Sequence, residues 1–315
     1  MIATVTPNPC IDKFCETGLL TPGTLVRIGS VRRQPAGKGI DVALALGSLG
    51  LPSLALGFAA GEAGKFIERE LALRGIGSRF TWIPGETRTN TKLIERNTRR
   101  CTELNEPGPT VTQEDTERLE KDLGSAVSPG DTVVVAGSVP PGAGPELYPR
   151  LIRAARDEGA RVVLDADGPG FRQGLAAGPF MVKPNEREAS EFLGREIRTL
   201  KEAAQGAAML LEMFSAGGLC IAAVSMGPLG AVFATRDESW GAIPPDIEPI
   251  SPVGCGDALV AGAILAITEQ MCLRDLARLA VAAGSQAALR ESEYPARALV
   301  NEMLPRIRLE QFTMP

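Results

Sequence analysis

The 315-residue sequence predicts an α/β protein with a mainly parallel central sheet covered by helices and a small separate β-sheet. Two observations carry that reading. Near-continuous apolar runs suited to buried strands alternate with helical stretches from Leu54 onward, and two β-like stretches with no helical period, about 13–34 and 87–106, interrupt the pattern.

Taken in order, the first strand is Ile2 to Val5, which ends at the Pro7-Asn8-Pro9 break shortly before Asp12. Residues 13 to 34 carry Thr17-Gly18, Pro22-Gly23 and alternating Leu25, Arg27 and Gly29, as in a hairpin. Pro35-Ala36-Gly37-Lys38-Gly39-Ile40-Asp41 then opens a helix, with Ile40, Ala43, Leu44 and Leu46 at helical spacing and Gly50 as its stop. Further buried strands are expected at Leu54–Ala60, Thr132–Ala136, Arg161–Leu164, Phe180–Val182 and Leu219–Val224. The helices between them are expected at Ala63–Arg74, Gln113–Ala126, Glu146–Glu158 and Lys201–Phe214. Residues 229 to 250 read as a strand pair, and helices at Leu273–Leu289 and Ala296–Leu304 close the chain.

Charged residues make up 23% of the chain, hydrophobic residues 44% and aromatics 4%, the profile of a soluble α/β protein. A net charge of −5 argues against a nucleic-acid surface, although a few placed cations can still hold a small anion. Six scattered cysteines form no Cys-x-x-Cys unit, which suggests reduced thiols. The sequence has no histidine, so Ser-His-Asp and Cys-His catalysis and histidine-ligated metals are excluded. Met1-Ile-Ala-Thr-Val5 lacks the basic flank and apolar run of a secretory signal, and the apolar run Leu259–Ile267 is about half the ~20 residues needed to span a bilayer. A cytoplasmic protein with no membrane partner is expected.

The stretch Ser251-Pro252-Val253-Gly254-Cys255-Gly256-Asp257 runs into that apolar segment as a glycine turn opening a buried helix. Its amides and the helix dipole suit an anion, and Asp257 is either a general base or an N-cap. Gly37-Lys38-Gly39 is a second helix start suited to an anionic or hydroxylated ligand, or a plain turn; it is not a Walker A loop. No dinucleotide fingerprint is present, because Leu259 stands where the third glycine would be. Period 2 places Arg88, Asn90 and Lys92 on one strand face, either a phosphate-contact surface or a solvated edge. Gly137-Ser138 and Lys183-Pro184-Asn185-Glu186-Arg187-Glu188 follow buried strands, where α/β sheets place ligands. Asn185 and Glu188 could order a hydrated magnesium ion or cap a helix.

The order Asn8-Pro9-x-x-Asp12, Gly37-Lys38-Gly39, Arg88-x-Asn90-x-Lys92, Gly137-Ser-Val-Pro, Lys183-Pro-Asn-x-x-Glu188, Ser225-Met-Gly227 and Gly254-x-Gly-Asp257 resembles the ribokinase-like (PfkB) family of carbohydrate kinases over nearly the whole chain. Thr102–Gly108 and the Arg-Thr-Asn-x-Lys strand are similar to its phosphosugar branch, most to the 1-phosphofructokinases, with tagatose-6-phosphate kinase and the minor 6-phosphofructokinase close behind. The resemblance implies one three-layer α/β/α domain over 1–315 with a small β lid, and ATP- and Mg²⁺-dependent transfer to the 6-hydroxyl of fructose 1-phosphate. Other sugar phosphates, free sugars or nucleosides are alternative acceptors, and a binder without turnover is a further alternative. It implies Asp257 as base and the amides of Gly254, Cys255 and Gly256 as stabilisers of the transferring phosphoryl group. Asp12, Gly37, Lys38, Asp41 and Ser138 would lie at the sugar, with Arg88, Asn90 and Lys92 near its phosphate. Lys183, Asn185, Ser225 and Gly227 would serve ATP, Glu188 the magnesium, and the lid a homodimer.

Four departures from the family pattern stand out. Ala36 replaces a glycine and Asp41 an asparagine, so position 41 can only accept hydrogen bonds while ionised. Asp165-Ala-Asp-Gly168 replaces Asp-Thr-Ser-Gly, and Cys255 replaces alanine, which would place an oxidisable group in the turn.

Overall fold

A computed structural model of the chain describes residues 1–98, 100–166, 168–251, 253–290 and 294–313. In chain order the elements are β1 (Ile2–Thr6), β2 (Cys10–Thr17), β3 (Ile28–Ala36), α1 (Lys38–Ser48), β4 (Leu54–Ala59), α2 (Gly61–Leu73), β5 (Gly77–Trp82), β6 (Arg88–Glu95), β7 (Cys101–Leu104), α3 (Gln113–Ala126), β8 (Thr132–Gly137) and α4 (Leu147–Asp157). There follow β9 (Arg161–Ala166), α5 (Gly168–Ala176), β10 (Met181–Val182), α6 (Glu186–Leu193), α7 (Leu200–Phe214), β11 (Ile221–Ser225), β12 (Ala231–Ala234), β13 (Ser239–Ile243), α8 (Cys255–Thr268), α9 (Leu273–Ala288), α10 (Arg297–Met303) and β14 (Arg308–Phe312).

Ten strands form one sheet in the order β14-β13-β12-β11-β10-β9-β8-β1-β4-β5. Pairing is parallel from β11 through to β5 and antiparallel from β11 to β14. The parallel strands read as unbroken apolar runs because both faces are covered. Along β8 the side chains alternate: Val133 and Val135 face a core shared with α3, α4 and α7, whereas Val134 and Ala136 face one shared with α1, α8 and α9. Burying each of these valines stabilises the fold by roughly 1.5–3 kcal/mol.

Strand order reverses between β1 and β8, since the chain first runs outward through β4 and β5 and then returns beside β1 to build β8, β9, β10 and β11. Connections diverge at such a point and leave a crevice beyond the carboxyl ends of the strands. Asn8, Ser138, Asp165 and Lys183 all sit at or just past those ends.

The smaller sheet has the order β3-β2-β6-β7, with β2 and β6 parallel and the outer pairs antiparallel. Its strands come from the two stretches without helical period. Four elements fall outside the strands and helices read from the sequence: β5, α5, β14 and α6, the last foreshadowed only by the capping alternative for Asn185 and Glu188. β5 and β14 are edge strands carrying charge or glycine, so neither shows an apolar run, and α5 opens on Gly168-Pro169-Gly170. Among the described residues no helix is long and apolar enough to cross a membrane.

Candidate active site

Gly254 is the N-cap of α8, in the left-handed region at φ 81°, and no side chain caps this helix start. Asp257 lies inside the first turn, so the capping alternative does not hold. The ten residues from Ala258 to Ile267 are all buried, which anchors the turn rigidly. A side chain at position 254 would bring its Cβ to 2.9 Å from the Tyr294 hydroxyl, so glycine is required here by packing as well as by backbone conformation. Burial, and next the negative charge of Asp165, push the Asp257 carboxyl up to about 7 against the opposing pull of Lys38 and Lys183. That value suits a base working near neutral pH. Burial, and next the charge of Asp257, push the Cys255 thiol up to about 11, away from the thiolate form.

α1 likewise starts on a glycine without a side-chain cap, with Gly37 as N-cap at φ 119°. Gly39 packs directly on β1, where any side chain would collide with Thr6. The Gly37 amide donates to Asp41 Oδ2 at 3.0 Å. Burial, then the charges of Asp257 and Asp12, hold the Asp41 carboxyl well above the ordinary range. Beside it, Lys38 Nζ lies 3.2 Å from Asp165 Oδ1, and Lys183 Nζ lies 3.5 Å from Asp165 Oδ2. Burial works against an ionised Asp165, but Lys183 and Lys38 outweigh it and hold its carboxyl below the usual range. One buried carboxylate therefore orients two lysines from different parts of the chain. Lys183 also lies beside the α8 turn, its Nζ 3.8 Å from where a Cβ on Gly256 would stand.

β2 and β6 bring the third group. Their parallel register pairs Cys10 with Arg88, Asp12 with Asn90 and Phe14 with Lys92. β6 lies between β2 and β7, so the solvated-edge alternative for its cations does not hold. Lys92 Nζ is 2.6 Å from Asp12 Oδ2, and both side chains are buried. Burial would lower the Lys92 ammonium, but Asp12 raises it further. Arg88 donates to the Asn8 carbonyl at 2.9 Å, the Glu106 carbonyl at 3.1 Å and Ser138 Oγ at 3.3 Å. Asn8 Nδ2 also donates to Ser138, at 3.2 Å, and Asn90 Nδ2 reaches Cys10 Sγ at 3.2 Å. Arg88, Asn8 and Ser138 thus brace the smaller sheet against the ends of β1 and β8.

A cleft of about 660 Å³ opens between the smaller sheet and the C-terminal helices, with Asp12, Asp41, Lys92 and Tyr294 in its walls. Across the strand ends, Asn185 and Glu188 form a reciprocal cap on α6: Asn185 Oδ1 accepts from the Glu188 amide at 2.9 Å, and Glu188 Oε2 accepts from the Asn185 amide at 3.0 Å. Ser225 bridges to Asn185 as a short parallel ladder and donates its amide to the Pro184 carbonyl at 3.1 Å. Gly227 follows at φ 53° and opens a one-turn 3₁₀ segment. These four residues form a second group, next to the lysines but without a direct bond to Asp257. Among the described residues no three His, Cys, Asp or Glu side chains gather as a metal cluster.

Two site residues carry no role in the sequence reading. Asp165 stands there only within a departing motif, although an acid ending the buried run Val162-Val163-Leu164 was a usable signal. Tyr294 gives no signal, because its place against Gly254 depends on the fold. Asp167 and Pro252, members of two quoted motifs, lie outside the described residues.

The chain matches the model of the pfkB family carbohydrate kinases over residues 6–296. It is 34% identical over 309 residues to a 1-phosphofructokinase of Bacillus subtilis (strain 168), covering 98% of this chain and 99% of that protein. It is 37% identical to a 1-phosphofructokinase of Rhodobacter capsulatus, covering 89% and 88%. The crystal structure of phosphofructokinase-2 from Escherichia coli in complex with potassium superposes with a TM-score of 0.91 at 27% identity, over 96% of this chain and 98% of that one. The large parallel sheet flanked by helices, with its smaller sheet, is the ribokinase-like fold. With an acid raised to neutral pKa at a glycine turn, two lysines on one buried carboxylate and these likenesses across its length, the chain belongs to the pfkB family of carbohydrate kinases, phosphotransferases that take an alcohol group as acceptor.

Proposed function

We propose that the chain transfers the γ-phosphoryl group of ATP to the 6-hydroxyl of fructose 1-phosphate, giving fructose 1,6-bisphosphate and ADP. The observation that carries the reading is Asp257, buried at an uncapped glycine turn with its carboxyl at about 7. The two relatives named 1-phosphofructokinase support the choice of acceptor. In this reading Asp257 takes the hydroxyl proton as the new O–P bond forms and the bond to the ADP oxygen breaks. The amides of Gly254, Cys255 and Gly256 face the equatorial oxygens of the phosphoryl group in flight, and Lys183 offsets their charge. Asp12, Gly37, Lys38, Asp41 and Ser138 line the sugar, and Arg88, Asn90 and Lys92 take its phosphate; Lys92 would exchange its bond to Asp12 for that contact. Asn185, Ser225 and Gly227 border the nucleotide.

A magnesium ion binds through one or two carboxylates, water and substrate phosphates rather than a protein cage, and a buried Glu188, with no carboxylate cluster among the described residues, fits that pattern. When bound, the ion would neutralise phosphate charge during transfer. The smaller sheet serves as a lid on a single domain spanning 1–315, with insertions at about 13–34 and 87–106. Its outer strand β3 exposes Ile28 and Val31, and Leu25 just before it is 81% exposed. An open strand edge bearing apolar groups supports a homodimer formed through the lid. A cytoplasmic enzyme without nucleic-acid or membrane partners completes the reading.

The test is ADP release across fructose 1-phosphate, fructose 6-phosphate, tagatose 6-phosphate and free sugars, with Asp257→Asn alongside. Fructose 1-phosphate is expected to give the highest kcat/KM. Turnover of a free sugar with none of any sugar phosphate would overturn the proposal.

A further inference from the structure

The smaller sheet carries one row of side chains across its four strands on the side that faces the cleft. Phe14 of β2 is paired in register with Arg32 of β3 and with Lys92 of β6, and Lys92 in turn with Glu103 of β7. All four line the cleft beside Asp12 and Asp41. The Arg32 guanidinium lies over the Phe14 ring, its Cζ 4.2 Å from the centroid, and Lys92 Nζ lies 5.3 Å from the same centroid. The two cations differ in what else they hold. Lys92 is bonded to Asp12 Oδ2 at 2.6 Å and has Glu103 as its other register neighbour, so an anion reaching it must displace one carboxylate and approach a second. Arg32 Nη1 donates to the neutral Gln34 Oε1 at 2.6 Å, and Arg32 forms no ion pair among the described residues. A cation is drawn to a ring face by its charge and spends no N–H donor there, so the remaining donors of the planar fork stay open to an oxyanion. Arg88, the arginine on β6, is already bonded to the Asn8 and Glu106 carbonyls and to Ser138.

We propose that Arg32 is a specificity-determining residue for the acceptor: set over Phe14 and held by Gln34, its guanidinium takes the acceptor's phosphate together with Lys92. The proposal rests on the phosphosugar-kinase reading above and deepens it, since it places a phosphate contact on β3, on the opposite side of Phe14 from β6. The planar fork can pair two phosphate oxygens at once, which the hydroxyl groups of a free sugar cannot match. Arg33, next in sequence, pairs with Lys13 and so stands on the sheet's other face, outside the cleft wall.

The test compares Arg32→Gln, Arg32→Lys and Arg33→Gln with the wild type by KM for each substrate and kcat, with thermal melting to confirm folding. The acceptor is the one that the wild type turns over best, and inorganic phosphate is titrated as a competitive inhibitor against it. Arg32→Gln is expected to raise the acceptor KM and the inhibition constant of inorganic phosphate together by about 10–100-fold, the scale of hydrogen bonds to a charged group, with kcat and the ATP KM within about twofold. Arg32→Lys, which keeps the charge but not the fork, is expected to fall between Arg32→Gln and the wild type. Arg33→Gln removes the same charge from the same strand and is expected to leave both constants within about twofold of the wild type, the spread of a surface substitution. Phosphate inhibition that is absent or unchanged by Arg32→Gln, an unchanged KM for a phosphorylated acceptor, a loss shared equally by kcat and both KM values, or an equal rise in Arg33→Gln would overturn the proposal. The identity of the acceptor judges the proposed function, whereas the inhibition constant of inorganic phosphate judges Arg32 whichever acceptor is used.

Discussion

Two kinds of helix start in this protein differ in how their first amides are satisfied. α3, α6 and α7 open on Thr112, Asn185 and Thr199, each with a reciprocal side-chain cap from the acid three residues on. α1 and α8 open on Gly37 and Gly254 with positive φ and no side-chain cap. A capped start has its first amides satisfied internally, so it terminates a helix and nothing more. An uncapped glycine start leaves amides for a ligand, and both such starts lie at the cleft with an acid in the first turn, Asp41 and Asp257. α6 is the instructive mixture, because Asn185 and Glu188 spend part of their bonding capacity on the cap while standing beside the lysines. The contrast separates side chains that hold the fold from those that hold a substrate.

The comparison can be broken most severely at Asp257. Asp257→Asn is expected to lower kcat about 10²–10⁴-fold with ATP binding retained, measured by steady-state ADP release. Near-normal turnover would remove the base from the account. Gly254→Ala comes next, since it forces a side chain into the left-handed region and against Tyr294; kcat is expected to fall about 10²–10³-fold as the amides turn out of line. Asp165→Asn breaks a buried link to two lysines and is expected to cost about 3–5 kcal/mol in denaturant unfolding. At the small end, Thr112→Ala removes a cap that holds none of the proposed substrate or nucleotide residues and is expected to cost about 1 kcal/mol with kcat unchanged.

pH sharpens the same contrast. The base must be ionised, so kcat/KM is expected to fall about tenfold per unit as pH drops below about 7. The stability effect has the opposite sense. Because the Asp257 carboxyl is raised in the folded state, the unfolded chain releases its proton first as pH climbs, and stability declines from about pH 4 to about pH 7. Asp257→Asn is therefore expected to unfold at higher temperature than the wild type above about pH 7, the difference shrinking toward pH 4. A variant less stable than the wild type at pH 8 would contradict a buried, charge-crowded Asp257.

Most of the sheet was legible in the sequence because strands covered on both faces must be apolar throughout, as Thr132–Gly137 and Arg161–Ala166 show. Edge strands such as Arg308–Phe312 have one or both faces in solvent and so carry no such run. Asp257 and Lys38 were legible because each sits beside glycines at a helix start, a local pattern. Asp165 was legible only as an acid ending a buried strand, because its link to Lys38 arises when the fold brings the two together across 127 residues of sequence. The competing roles of Arg88, Asn185 and Glu188 as brace and cap depend on hydrogen-bond partners that spacing alone does not choose between.

The account's central claim is that the two glycine starts, Gly37 and Gly254, build one phosphoryl-transfer site for a phosphosugar. It is tested most directly by ³¹P NMR of the product formed from fructose 1-phosphate and ATP. A single new phosphomonoester on the 6-position, formed by the wild type and not by Asp257→Asn, is the expected result. No new phosphoester, or one formed equally well by Asp257→Asn, would contradict it.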